Sequence, residues 1–250
     1  TIPSNSVKIH NNIFTRYSNH ARAPILVYGK NSNPSVTSNV FLKNRSSAIV
    51  VKQQALGTFE QNNIYEHDES PAIKIQDMDT DPIFLNNKIF ANSGSAIRIA
   101  ERAKGTLEGN LIYQNTLKSA IIVKGKASTV FKSNKIYDNT SNAIVISGKD
   151  TCPCFEQNSI YNHSSNAPVI YVEDEAYPTF HGNKIFNNAS YALVITKQGA
   201  GEYIENVFEE NTSAKCAAVL IINRSIPLFK KNNFLKNKGG SMIIQEASRP

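Results

Sequence analysis

An asparagine that returns every 23 to 28 residues limits this chain to very few folds. It stands at Asn11, Asn39, Asn62, Asn87, Asn110, Asn134, Asn158, Asn183, Asn206 and Asn232. Two residues after each copy sits a large apolar side chain: Ile13, Phe41, Ile64, Ile89, Ile112, Ile136, Ile160, Ile185, Phe208 and Phe234. Five residues after it a second asparagine recurs, at Asn44, Asn92, Asn115, Asn139, Asn188, Asn211 and Asn237, with Arg16, His67 and His163 in the remaining copies. Three residues before it an apolar residue appears in every copy but the first, as in Phe59, Phe84, Phe131 and Phe155. A proline two residues earlier, as at Pro82 and Pro178, suits a strand entry where no ladder N–H is needed.

Between these columns run short alternating segments such as "AIVV" (48–51), "AIRI" (96–99) and "AIVI" (143–146). Alternating β-branched residues specify strands, and a unit of about 24 residues has room for three of them and no helix. A repeat of that period announces a stack of coils. The expected fold is all-β: a single-stranded right-handed parallel β-helix of about ten coils, forming one domain over residues 1–250. The six-residue period of a left-handed helix is absent. Because the chain starts at Thr1, it reads as a processed product or as a segment of something longer.

In such a stack each strand pairs with its equivalent one coil away at about 4.8 Å, so ten coils make a rod of about 45 Å. Like residues then lie above one another, and the interior buries what no single coil could bury. Asparagine suits the corners because it tolerates left-handed backbone angles and its amide can bond the amide in the next coil. The 30 asparagines of the chain fit that use.

The unit "PTFHGNKIFNN … ALVI" of residues 178–195 resembles the β-helix repeats of the carbohydrate-binding and sugar-hydrolase type. It is more closely similar to those in F-box-only ubiquitin-ligase substrate receptors and in SHC SH2-domain-binding proteins. The resemblance implies the coil fold strongly and function weakly, because polysaccharide lyases share the coil. The chain shows neither the F-box helical segment nor the Cys/His-rich zinc finger of the ligase receptors.

Lyases and hydrolases on this fold place carboxylates on one outer wall, where they bind calcium or act as acid and base. Two acidic loops invite that comparison: Asp77, Asp79 and Asp81 with Glu101 one coil on, and Glu173, Asp174 and Glu175 four coils later. About 19 Å of stack separates them, so they cannot share one bond. "DMDTD" lacks the glycine and the distant glutamate of an EF-hand and reads as a solvated turn. His67 and His163 read as replacements in the second polar column, and His10, His20 and His181 have no recurrent partner.

Cys152, Cys154 and Cys216 make neither a disulfide framework nor a four-ligand metal site, and read as buried thiols in a reducing compartment. The sequons at Asn44, Asn139, Asn162, Asn188, Asn211 and Asn223 read as ladder or corner residues. No tryptophan is available to stack on sugar rings. No cofactor or metal is expected.

A net charge of +7 would suit an acidic partner, but there is no run of five basic residues and no basic amphipathic segment. Nucleic-acid and membrane partners are therefore not expected, and "TIPSNSVKIH" is no signal peptide.

The outer wall offers more. The position after each inward residue reads Phe14, Leu42, Tyr65, Phe90, Tyr113, Tyr137, Tyr161, Phe186, Glu209 and Leu235. On the alternating segments the outward residue reads Leu26, Val50, Lys74, Arg98, Ile122, Val145, Tyr171, Val194, Leu220 and Ile243. Apolar stripes of this length either stabilise their own sheet, because side chains stacked on parallel strands gain contact with each other, or invite a partner. The sequence reading therefore expects a non-enzymatic, cytoplasmic or cytoskeleton-associated scaffold that binds protein through Tyr113, Tyr137, Tyr161, Ile122, Val145, Tyr171 and Val194. Further chain or a partner is expected to cap the exposed strand edges at each end. The alternative is a polysaccharide lyase or glycoside hydrolase relative that uses the acidic loops.

Overall fold

The computed structural model describes residues 7–16, 22–68, 70–212 and 217–245. Three strands per coil assemble into three parallel sheets of ten strands each. Sheet A starts with Lys8–His10 and ends with Leu228–Lys230; sheet B runs from Ile13–Thr15 to Asn233–Leu235; sheet C runs from Ile25–Tyr28 to Met242–Ile244. Every strand pairs only with its equivalents one coil away, so the molecule is a parallel β-solenoid. We call each coil a rung.

Each sheet points one column of side chains inward from its strand centre or from both flanks. Sheet A stacks Phe59 on Phe84, and Phe131 on Phe155 on Phe180, with ring centroids 4.5 Å apart. Sheet B stacks Ile64, Ile89, Ile112, Ile136, Ile160 and Ile185 in register, all buried. Sheet C contributes two aliphatics per rung, such as Ile97 and Ile99 or Ile144 and Ile146, with a buried alanine before them. A fully buried side chain of this size contributes about 1.5–3 kcal/mol, and the rod repeats that contribution rung after rung.

The corner between sheets A and B is built from two residues. The first takes left-handed angles, as in Ser38 (φ 56°), Gln61 (54°), Asn86 (53°) and Ser133 (53°). The second is the ladder asparagine. Asn87 shows the pattern: its Nδ2 donates to Asn110 Oδ1 at 3.0 Å and to the Phe59 carbonyl at 2.9 Å, while its backbone N–H also donates to Asn110 Oδ1 at 2.9 Å. The left-handed angle therefore falls on the residue before the ladder asparagine, whereas the sequence reading had placed both duties on one residue. A non-glycine residue in that region costs about 1–2 kcal/mol, which the ladder bonds offset. Gly109 takes the position in one rung, where a Cβ would approach Asn86 Oδ1 to 2.4 Å.

The first rung corrects the expected register by one residue. The ladder residue is Asn12, whose Nδ2 donates to Asn39 Oδ1 at 3.1 Å, and Asn11 is the left-handed corner residue (φ 56°). Phe14 then faces the interior and stacks on Phe41 at 4.8 Å, while Ile13 is 70% exposed. Counted from Asn12, the apolar slot three residues earlier is filled by Ile9, which pairs with Val36. Shifting a strand by one residue exchanges its two faces, and that is the whole of the error.

The second polar column turns the chain from sheet B toward sheet C. Asn92, Asn115 and Asn139 continue the amide ladder, at 2.9 Å and 3.0 Å between successive side chains. His67 and His163 interrupt it. Both ring nitrogens of each histidine face backbone carbonyl oxygens: Ser46 and Phe41 for His67 (3.2 and 3.4 Å), Asn139 and Ile136 for His163 (3.2 and 3.3 Å).

Candidate functional site: a cationic groove on sheet C

Outward positions of sheet C form two columns. One reads Leu26, Val50, Lys74, Arg98, Ile122, Val145, Tyr171, Val194 and Leu220, by the strand register. The other, two residues on, begins Tyr28, Lys52, Gln76 and Ala100. Over the first four rungs these columns and the loops entering sheet C enclose a groove of about 380 Å³ lined by Arg22, Lys52, Lys74 and Arg98, with Ser46, Ser70 and Gln76 among them. Ser46 Oγ donates to the Arg22 carbonyl at 2.7 Å, tying the entry loop of the first rung to the second.

No carboxylate among the described residues pairs with any of these four cations. Elsewhere on the rod, nine lysines meet carboxylates, among them Lys43 with Glu66 (3.5 Å), Lys104 with Asp79 (3.0 Å), Lys126 with Asp150 (2.8 Å) and Lys184 with Glu209 (2.7 Å), each one rung away. Such exposed pairs stabilise by less than about 1 kcal/mol each, but they cancel charge locally. Lys74 and Arg98 instead stand side by side on adjacent rungs, an arrangement that is unfavourable without an anion between them. A larger groove of about 570 Å³ follows sheet B, where Arg16, Lys43 and Arg45 are faced by Glu66 and Asp68.

Two polar atoms lining the cationic groove are shielded and have no hydrogen-bond partner: Gln76 Oε1 and Arg98 Nε. Only one further such side-chain atom, Thr129 Oγ1, occurs among the described residues. Buried polar groups are almost always satisfied, so two exceptions in one groove mark it chemically.

The acidic loops are largely neutralised at the corners after sheet C. Asp77 accepts the Gln53 N–H at 3.2 Å and Gln76 Nε2 at 3.4 Å, and Asp79 pairs with Lys104. Lys197 pairs with Glu173 and Asp174, and Lys149 with Glu175 at 3.4 Å. Asp81 and Glu101 are exposed. Among the described residues no three His, Cys, Asp or Glu side chains converge as a metal site.

His67 and His163 are buried, and burial pushes both imidazoles below their ordinary value, against the raising effect of the carbonyls they face. Cys152 is exposed rather than buried, because it lies at the rod surface just before Pro153. Cys154 is half-buried and donates to Glu156 Oε1 at 3.4 Å; burial, then Glu156, pushes its thiol up to about 11. Cys216 and His20 lie outside the described residues. The sequon asparagines Asn44, Asn139, Asn188 and Asn211 are buried, while Asn162 is an exposed corner residue (φ 60°).

The expected protein-binding residues fall on two different sheets. Tyr113, Tyr137 and Tyr161 belong to a sheet B column of six rings, Tyr65, Phe90, Tyr113, Tyr137, Tyr161 and Phe186, with successive centroids 4.8–5.1 Å apart. Each interior ring of that column has both faces covered by its neighbours, so the column presents edges and hydroxyls to solvent. Burial raises the three phenols above their ordinary value. Ile122, Val145 and Tyr171 are half-buried on consecutive rungs of sheet C. Val194 corrects the expectation of an exposed stripe: it is only 4% exposed, a short side chain seated between Tyr171 and Leu220 in its column.

The right-handed β-helix region model matches residues 2–125 and 119–249. The chain belongs to the right-handed β-helix family. A search of curated proteins finds no match to the sequence. Among solved structures, the A-module of the mannuronan C-5 epimerase AlgE4 from Azotobacter vinelandii is similar, with a TM-score of 0.64 at 10% identity over 97% of this chain and 90% of that one. The Agl-KA catalytic domain is also similar, with a TM-score of 0.52 at 10% identity, covering 96% of this chain and 62% of that one.

These likenesses establish the fold. The expectation of a non-enzyme is not upheld, since both of the similar structures named above, which share this solenoid, are an epimerase module and a catalytic domain. That expectation rested on the resemblance to ubiquitin-ligase receptor and SHC SH2-domain-binding repeats, and on finding no cluster of reactive residues local in sequence. A solenoid assembles its site from residues about 24 positions apart, as Lys74 and Arg98 show.

Proposed function

We propose that the protein is a polysaccharide-active enzyme that takes an acidic polysaccharide into the sheet C groove. The observation that carries this reading is the convergence of Arg22, Lys52, Lys74 and Arg98 in one groove with no carboxylate paired to them among the described residues, on a rod where nine other lysines pair with carboxylates. Cations placed along an open groove favour a polymer that carries an anion on each unit over a neutral glycan. The likeness to a mannuronan epimerase module supports the same substrate class, because mannuronan is by its name a polymer of uronate.

The groove also suits chemistry on a uronate. When a base takes the proton beside a carboxylate, negative charge builds on that carboxylate, and fixed cations stabilise it as it forms. The acidic loops take no part in this reading, since they lie at the corners and are mostly ion-paired or hydrogen-bonded.

The test pairs binding with turnover. Polymannuronate should be retained by the protein at low salt and released as salt rises, while a neutral glucan is not retained. Proton NMR of the incubated polymer should show a change at the carbon that bears the carboxylate. Failure to retain any acidic polysaccharide at low salt overturns the proposal.

A further inference from the structure

Gln76 and Arg98 occupy neighbouring outward columns of sheet C on adjacent rungs, a diagonal separation of roughly 7 Å. Gln76 Nε2 donates toward Asp77 Oδ1 at 3.4 Å. A carboxylate only accepts, so this contact assigns the amide nitrogen to the corner and leaves Oε1 for the groove. The Arg98 guanidinium makes no ion pair among the described residues, and its Nε lacks an acceptor. The groove thus holds one unfilled acceptor and one unfilled, charge-assisted donor. Both side chains are half-buried and both atoms are shielded, so a ligand meets them once the side-chain stems shift toward the groove.

We propose that Gln76 and Arg98 act together as the specificity pair of this groove: Arg98 takes the carboxylate of a uronate unit and Gln76 Oε1 accepts from a hydroxyl of the same or the next unit. Lys52, Lys74 and Arg22 supply attraction that any polyanion satisfies. The pair adds what charge alone does not, a requirement for a free carboxylate and a free hydroxyl within one ring's reach. A planar guanidinium matches a carboxylate as a lysine ammonium does not. An acceptor left unfilled by a capped hydroxyl penalises the wrong ligand. This inference rests on the acidic-polysaccharide reading above.

The probes are oligomannuronate and the same oligomer with its hydroxyls converted to methyl ethers, which keeps every carboxylate. The wild-type protein should bind the free oligomer about tenfold more tightly than the ether, the worth of one hydrogen bond to a polar group. Gln76→Leu should lose that preference while keeping the salt dependence of binding. Arg98→Lys, which keeps the charge, should weaken binding of both oligomers about tenfold and keep the preference for the free one. Thermal melting of both variants confirms that they fold.

A Gln76→Leu protein that still prefers the free oligomer overturns the pair, as does wild-type binding that ignores the ethers. Absence of wild-type binding to either oligomer overturns the acidic-polysaccharide reading together with it. Salt-dependent binding without discrimination overturns the pair alone.

Discussion

The front and rear halves of sheet C share one backbone, one register and one interior, yet their outer columns differ. Over the first four rungs the outward residues include Lys52, Lys74, Gln76 and Arg98, and over the next five they are led by Ile122, Val145, Tyr171, Val194 and Leu220. The interior beneath is indifferent to the change, since Ile73 and Ile75 are as buried as Ile144 and Ile146. Outward columns of a solenoid can therefore be rewritten without cost to the core. The cations have to be explained by what lies outside the rod.

The sharpest way to break this comparison is charge reversal in the front half. Lys74→Glu with Arg98→Glu should weaken binding of oligomannuronate by a hundredfold or more, because two favourable contacts become repulsive. Titration calorimetry measures the loss, and an unchanged melting temperature separates it from unfolding. If affinity falls less than tenfold, the groove is not the binding site.

A smaller effect separates the halves by their histidines. Burial holds His67, which hydrogen-bonds the groove residue Ser46, and His163, behind it, below the ordinary value of 6.5. The unfolded chain therefore binds more protons than the folded one once the pH drops below about 6.5. Stability should fall as the pH is lowered from that value toward the depressed folded values, by about 1.4 kcal/mol per pH unit per histidine at most. His67→Asn and His163→Asn should each restore an amide to the ladder and flatten that loss, as followed by urea denaturation at a series of pH values. A wild-type protein equally stable at pH 7 and pH 5 would contradict this.

The smallest expected effect lies in the rear half. Val145→Ser and Tyr171→Ser should change oligomannuronate affinity by less than about twofold, because surface substitutions away from a site are usually within ±0.5 kcal/mol. A tenfold loss from either would extend the binding site along the whole sheet.

Much of this was legible in the sequence, for a physical reason. The interior of a stacked coil accepts only one kind of side chain at each slot, so Ile89, Ile112 and Ile136 announce their column from any starting point. The slip at the first rung arose where two asparagines adjoin, Asn11 and Asn12, and Ile9 was the residue able to decide between them. The left-handed corner residue escaped notice because its slot holds Ser, Gln, Asn, Gly, Glu or Lys, types whose common feature here is their backbone angle.

The groove was harder to read. Lys74 and Arg98 were visible in the outward column, but as interruptions of an apolar stripe. Arg22 and Lys52 enter from a loop and from the second column. What distinguishes the four is that they line one groove and that no carboxylate among the described residues pairs with them, and that depends on neighbours a whole coil away in sequence.

The amide ladder also makes the rod modular in length. Each rung exchanges bonds only with the rungs before and after it, so excising residues 110–133 would join the left-handed corner at Gly109 directly to the ladder residue Asn134. Every column would close again in phase, one coil shorter, at the cost of one nearest-neighbour interface. Genetic duplication or loss of a coil behind the groove can thus lengthen or shorten this molecule while its front rungs go on meeting the same ligand.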